Sequence, residues 1–159
     1  MEQKKTNKAR AAGLRLLTAR DRSTQEIKDR LERRFCEEDA LDAVAYLTEL
    51  GYLDDRRYAE NYVEYRNLSR PRGNYLLRLE LRNKGVAESI IEQVLNTEEE
   101  ECALARRCGL EHLKRSGNAD FPTLKRRLYG ALQRRGFSPL AVNRAVGELL
   151  DSDLEKEYN

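Results

Sequence analysis

Lysine and arginine are the residues of this chain best placed to do chemistry, and the chemistry they suit is the holding of anions. There are 30 of them against 28 carboxylates, a net charge of only +2, but they are clustered. Arg20, Arg22, Lys28 and Arg34 lie early, Arg66, Arg70, Arg72, Arg78, Arg82 and Lys84 in the middle, and Arg126, Arg127, Arg134 and Arg135 late. Residues 1–35 carry +6, 36–64 carry −7, 65–86 carry +5, 87–104 carry −6, 105–135 carry +7 and 136–159 carry −3. A guanidinium presents a planar fork of N–H donors that grips phosphate or carboxylate at two points. These fourteen residues are therefore the candidate contacts to a nucleic acid or to acidic protein surfaces. The plainer use of each is a solvated helix face, and a cation in a helix's last turn is favoured by the macrodipole in any case.

Other chemistry has less to stand on. His112 is the one histidine, four residues after Cys108 and so on the same helical face. A structural zinc needs three or four ligands, and Cys102 lies six residues back from Cys108, well round the helix, so a half-buried cysteine beside a surface histidine is the preferred reading and no metal is expected. No phosphate-binding glycine loop and no carboxylate pair in a catalytic setting is visible. Glu98–Glu101 reads as an acidic first turn complementing a helix dipole. Neither enzymatic activity nor a cofactor is expected. Tyr58, Tyr62 and Tyr65, near Arg66 and Arg70, could stack on bases, but Tyr58 and Tyr62 are assigned to the core. Asp54 and Asp55 are read as helix caps that could also hold Arg57 in an ion pair. Three scattered cysteines fit a reducing cytoplasm. No run of apolar residues is long enough to span a membrane, and Met1–Arg15 lacks the apolar stretch of a secretory leader.

The elements that position these cations repeat. Leu31, Leu81 and Leu132 are each preceded at four residues by Ile27, Leu77 and Leu128, and followed at three by Arg34, Lys84 and Arg135. Ten residues on come Leu41, Ile91 and Val142, and beyond them Val44/Ala45, Val94/Leu95 and Ala145/Val146. A period near fifty with apolar residues at helical spacing predicts a tandem helical array. The fold class is all-α: three tandem three-helix repeats in an elongated, curved array, over 1–53, 54–96 and 97–150, with an acidic flexible tail at 151–159.

Nine helices are expected, near 8–20, 23–34, 37–50, 55–69, 74–84, 88–96, 98–115, 121–135 and 139–150. Ser23-x-x-Glu26 and Thr97-x-x-Glu100 read as capping boxes, Gly51 as a left-handed C-cap, and Ser138-Pro139 as an N-cap with proline at the first helical position. Leu14 and Leu17 are expected to face inward on the first helix, Leu41, Val44, Leu47 and Leu50 on the third, and Ala103, Leu104, Leu110 and Leu113 on the seventh.

The run Leu50-Gly51-Tyr52-Leu53-Asp54-Asp55-x-x-Tyr58-Ala59-x-x-Tyr62-Val63-x-x-Arg66 resembles the central motif of the RecX family, as does Gly73 followed by Leu77, Arg78, Glu80, Leu81, Lys84 and Gly85. Arg20-x-Arg22-Ser23-x-x-Glu26-Ile27 is similar to that family's first-repeat motif, and Arg135-Gly136-Phe137 with Val142 to its third. The resemblance covers about residues 9–150. It implies a regulator of the bacterial recombinase RecA that binds in the groove of the RecA–single-stranded DNA filament, bridges neighbouring subunits, and chiefly inhibits filament growth, ATP hydrolysis, strand exchange and coprotease activity. The chain itself is expected to be a monomer. Whether the chain also binds DNA by itself stays open. Two positions depart from the family pattern: the glycine that closes the second helix is absent, since Arg34 runs into Phe35-Cys36, and the proline expected after Gly73 is Asn74. The rival readings are a stand-alone nucleic-acid-binding helical protein, against which the near-neutral total charge weighs, and a generic helical-repeat scaffold.

Overall fold

A computed structural model describes residues 1–157, with side chains described for residue 1 and for 3–150. Among the described residues there are nine α-helices and no strand: α1 (Glu2–Ala19), α2 (Thr24–Glu32), α3 (Glu37–Glu49), α4 (Asp55–Ser69), α5 (Asn74–Asn83), α6 (Glu88–Val94), α7 (Glu98–Lys114), α8 (Phe121–Arg134) and α9 (Pro139–Glu157). They form three three-helix repeats in tandem. Helix α1 starts earlier than expected, and α9 continues past Leu150. Tyr158 and Asn159, the end of the tail expected to be flexible, lie outside the described residues.

The repeated apolar positions of the middle helices are the core. Ile27, Leu31, Leu77, Leu81, Leu128 and Leu132 are all 0–1% exposed. Ser23 and Thr97 do close capping boxes, each hydroxyl accepting from the backbone N–H three residues on while the glutamate there accepts from the cap's own N–H. Asp54 caps α4 by accepting from Arg57 N at 3.1 Å. The Arg57 guanidinium donates to the Gly51 carbonyl at 3.2 Å instead of pairing with either aspartate.

The third helices do not follow the expected faces equally. Ile91 and Val142 are buried, but Leu41 at the same repeat position is 45% exposed and Leu50 53%. Helix α3 buries Ala40, Ala43 and Leu47, with Val44 only partly covered. The cause is the missing glycine. Helix α3 begins six residues after Leu31, whereas α6 and α9 begin seven after Leu81 and Leu132. A turn one residue shorter advances the whole helix by about 100°, so the buried positions move one residue earlier. Two further expectations are corrected. On α1, Leu14 is 42% exposed, and the inward stripe is Ala9, Ala12 and Gly13. On α7, Ala103 and Leu110 face out, and the buried positions are Glu101, Cys102, Ala105, Cys108 and Gly109. In both helices small residues sit where another helix approaches closely: a Cβ on Gly13 would lie 2.7 Å from Leu47 Cδ1, and one on Gly109 2.6 Å from Leu149 Cδ1.

The chain forms two compact units that do not coincide with the repeats. Unit 1 comprises residues 1–62 and 80–94, and unit 2 residues 63–79 and 95–159. The core of unit 1 gathers Ala9, Ile27, Leu31, Ala40, Ala43, Leu47 and Leu53. That of unit 2 gathers Ala105, Leu128, Leu132, Phe137, Ala141, Val142, Ala145 and Val146. Each unit contains the same joint between consecutive repeats. In unit 1 the Ser23 hydroxyl donates to the Lys84 carbonyl. In unit 2 Gly73 N donates to the Arg135 carbonyl at 2.8 Å, and Tyr75 N to that of Gly136 at 3.3 Å. Ser23 and Gly73 both stand eight residues before the core leucine of their repeat, and Lys84 and Arg135 three after the core leucine of the next. The glycine after each acceptor has positive φ, +76° at Gly85 and +80° at Gly136. A Cβ there would run into Gln25 and Leu76 respectively. Phe35, the equivalent residue in repeat 1, has no positive φ.

Candidate functional site

In unit 1 the candidate cations are drawn into the protein's own contacts. Glu26, one turn into α2, accepts from Ser23 N at 3.0 Å and from Arg20 Nη2 at 3.2 Å, and lies 3.6 Å from Lys84 Nζ. Burial pushes its carboxyl up, but the Ser23 N–H, Arg20 and Lys84 outweigh that, and Glu26 is held below its ordinary value. Lys84 also lies 5.6 Å over the Tyr62 ring. Arg82 pairs with Glu88 at 2.6 Å, and Lys28 with Glu32 at 3.6 Å. Arg22 departs from the expectation of an accessible cation: it is 8% exposed, its Nε donates to the Leu16 carbonyl at 3.2 Å, and Nη1 is buried without a partner. Burial first, then the charges of Arg20 and Arg30, lower its affinity for a proton. Arg34 remains exposed, its guanidinium 6.0 Å from the Phe35 ring. It borders an apolar groove of about 370 Å³ floored by Ala12, Leu16 and Leu31.

Unit 2 gathers several cations along one cleft. A cleft of about 950 Å³ is lined by Arg70, Arg72, Arg107, Arg115 and Arg135, with Cys108, His112 and a single acid, Glu111. Three sequence segments build it. The irregular stretch between α4 and α5, broken by Pro71, supplies Arg70 and Arg72. Helix α7 and its C-cap supply Arg107, Glu111 and Arg115, four residues apart and so on one face. The last turn of α8 leads to Arg135, whose Nη1 donates to the Pro71 carbonyl at 3.3 Å. Among the described residues none of Arg70, Arg107, Arg115 or Arg135 has a carboxylate within ion-pair distance, while Glu111 is held by Lys114 at 3.1 Å. The Cys108 thiol is pushed up by burial, more than Arg135 and Arg107 pull it back. His112 is held below its ordinary value by burial and then by Arg134, Arg135, Arg127 and Arg115, so the imidazole is neutral at pH 7.

Arg126, Arg127 and Arg134 are exposed on α8, while Arg66 and Arg78 are half-buried. The structure thus brings together Arg70, Arg72 and Arg135 of the candidate set. Arg107 and Arg115 were missed, although their spacing of eight on a helix is a readable one-face signal. Tyr58 is buried and stacks on Tyr62 at 6.2 Å, and Tyr62 donates to Glu80 at 2.8 Å. Tyr65 and Tyr75 are 65% and 66% exposed. Among the described residues no group of three or more metal-ligating side chains comes together, and no helix is long and apolar enough to cross a membrane.

Glu98–Glu101 do form the acidic first turn of α7, and Glu101 has a further role. It is 4% exposed, and its Oε1 accepts from Asn74 N at 2.8 Å and from Ser138 N at 3.2 Å. One buried carboxylate therefore serves the N-termini of α5 and α9 from the first turns of α7, where three helix dipoles favour negative charge. This also accounts for Asn74 in place of proline, because a proline would have no N–H to give Glu101. The Asn74 amide further exchanges hydrogen bonds with Asn96, donating to its carbonyl at 2.9 Å and accepting from its N–H at 3.1 Å.

Fold and surface together define a helical-repeat protein with guanidinium-lined faces, three consecutive three-helix modules joined by a repeated hydrogen-bonded joint. Each module matches its counterpart in one family: the first three-helix domain of RecX over residues 9–47, the second over 54–95 and the third over 98–146. The chain belongs to the RecX family. It is 33% identical over 153 residues to the regulatory protein RecX of Chlorobium phaeobacteroides (strain BS1), covering 91% of this chain and 95% of that one. It is 34% identical over 143 residues to the regulatory protein RecX of Leuconostoc citreum (strain KM20), covering 87% of this chain and about half, 53%, of that longer one. The crystal structure of RecX from Lactobacillus salivarius shares the fold at a TM-score of 0.84 and 22% identity, over 92% of this chain and 97% of that one.

Proposed function

We propose that this protein regulates the RecA recombinase, mainly as an inhibitor, by lying in the groove of the RecA–single-stranded DNA filament. There it opposes filament growth, ATP hydrolysis, strand exchange and coprotease activity, and so tunes recombination and DNA repair in the cytoplasm. The observation that carries the reading is the match of all three consecutive domains to a family of regulatory proteins. Its surface supports it. Exposed cations, Arg34 in unit 1 and Arg126 and Arg127 in unit 2, are free to meet phosphates or acidic recombinase surfaces. The acidic blocks at 36–64 and 87–104 suit basic patches on neighbouring subunits. Bridging subunits resists the rearrangements of the nucleotide cycle, and the recombinase supplies the ATP site, so the regulator needs no cofactor and does no chemistry.

The test is ATP hydrolysis by the cognate RecA on single-stranded DNA with this protein titrated in. Inhibition is expected at fewer than one copy per recombinase subunit. Replacing Arg34, Arg126 and Arg127 by alanine should raise the half-inhibiting concentration about tenfold, equivalent to about 1.4 kcal/mol. Hydrolysis unchanged at every ratio overturns the reading.

A further inference from the structure

The unit 2 cleft concentrates more positive charge than the fold needs. Arg135 braces the Pro71 carbonyl and Arg107 the Asn67 carbonyl, but Arg70 and Arg115 are exposed, and among the described residues neither side chain has a partner that would make it a strut. Five guanidiniums around a single carboxylate, itself held by Lys114, leave an excess of positive charge that an anion with several oxygens relieves. The cleft's apolar walls, Leu68, Pro71 and Leu132, contain no aromatic ring to hold a base inside. The aromatic lies outside: Tyr65 is exposed one turn before Leu68 and Ser69 on the same face of α4. Phosphates inside and a base stacked outside is the arrangement of a single-stranded polymer, not of a free polyphosphate.

His112 adds a second observation. It lines this cleft, and its Nε2 is buried with no hydrogen-bond partner among the described residues. Around it stand Cys108, Glu111 and Arg115 of its own helix, Arg127, Arg134 and Arg135 from α8 and its end, and Arg70 and Arg72 from the segment between α4 and α5. We propose that the cleft is a phosphate site at which His112 takes up a proton as the backbone of single-stranded nucleic acid enters. The proposal rests on the preceding reading only for the kind of polymer bound. In the free protein burial, and then the surrounding guanidiniums, hold the imidazole below its ordinary value. A row of phosphodiesters reverses the local field, favours the imidazolium, and gives its buried N–H an acceptor.

The linkage has a definite sign. A histidine whose pKa is higher in the complex than in the free protein adds nothing to affinity above the higher value. Its contribution grows as pH falls through the window between the two and levels off below it. A phosphodiester keeps its single charge throughout that window, and His112 is the only histidine in the chain, so the protein's titration there is simple to assign.

The experiment is fluorescence anisotropy with a labelled oligothymidylate lacking terminal phosphates, without recombinase, at fixed low salt from about pH 5.5 to 7.5. The wild-type protein should bind about tenfold tighter at the acid end, as one unit of pKa change gives. His112→Gln should lose the pH dependence of binding. Arg70→Ala and Arg115→Ala, at exposed positions, should weaken binding at every pH, and Tyr65→Ala should weaken the oligonucleotide but not inorganic polyphosphate. A flat wild-type profile, an unchanged slope in His112→Gln, or full affinity in both arginine variants overturns the phosphate site. Polyphosphate displacing the oligonucleotide with Tyr65→Ala without effect overturns the assignment to a single strand. Because no recombinase is present, any of these outcomes is separate from success or failure of the filament reading.

Discussion

Gly73→Ala should destabilise unit 2 by at least about 3 kcal/mol, the upper range for overpacking a close contact. Gly73 is buried at the joint between the second and third repeats. A Cβ on it would lie 2.1 Å from the carbonyl carbon and oxygen of Gly136 and from the backbone nitrogen of Phe137. Neither can swing aside as a side chain can. Relief requires the 135–137 turn to retreat, and that turn accepts Gly73 N at 2.8 Å and Tyr75 N at 3.3 Å. Urea denaturation measures the loss directly. Gly51→Ala is the comparison: Gly51 has φ +78° but nothing within 4 Å of its Cβ position, so it bears only the backbone cost, about 1 kcal/mol. Equal losses at the two sites would mean that the joint carries no particular weight.

Glu101→Ala is the second large effect, about 2–4 kcal/mol, because it strands two backbone N–H donors at roughly 1–2 kcal/mol each. The donors, Asn74 N and Ser138 N, open α5 and α9. Glu101→Gln keeps a carbonyl oxygen for them and should cost about 1 kcal/mol, the charge being lost from the helix N-termini but not the acceptor. Thermal denaturation of the two variants side by side separates acceptor from charge. A glutamine variant as unstable as the alanine one would assign the role to charge alone.

Much of the fold was legible because it rests on local periodicity. Ile27, Leu31, Leu77, Leu81, Leu128 and Leu132 repeat at a spacing that only a helical array explains, and all six are buried. The face of α3 was misjudged because it depends on the length of one turn. Phe35 standing where Gly85 and Gly136 stand is visible, but the residue deleted with it shows only in the register of Ala40, Ala43 and Leu47. Glu101 was unreadable because its partners lie 27 and 37 residues away; in one dimension it is one of four glutamates in a first turn. The cleft was half-legible for the same reason. Arg70, Arg72 and Arg135 belong to clusters the composition marks, whereas Arg107 and Arg115 gain meaning only when α7 is laid beside the segment that follows α4.

The joint also decides what counts as a folding module. Ser23 meets the carbonyl of Lys84, and Gly73 that of Arg135, so the front of one repeat's middle helix closes on the back of the next. Each block that holds together contains a repeat and part of another. A fragment cut at the sequence boundary after residue 53 keeps every residue of the first repeat yet loses Lys84, Asp55 and the contacts they make to Ser23 and Thr24. Amide hydrogen exchange should accordingly find two blocks of common opening, not three. The slow amides of α4 should divide near Tyr62 and Val63 and those of α5 near Leu79 and Glu80. Three blocks divided at the repeat boundaries would show that the sequence period and the unit of cooperativity coincide after all.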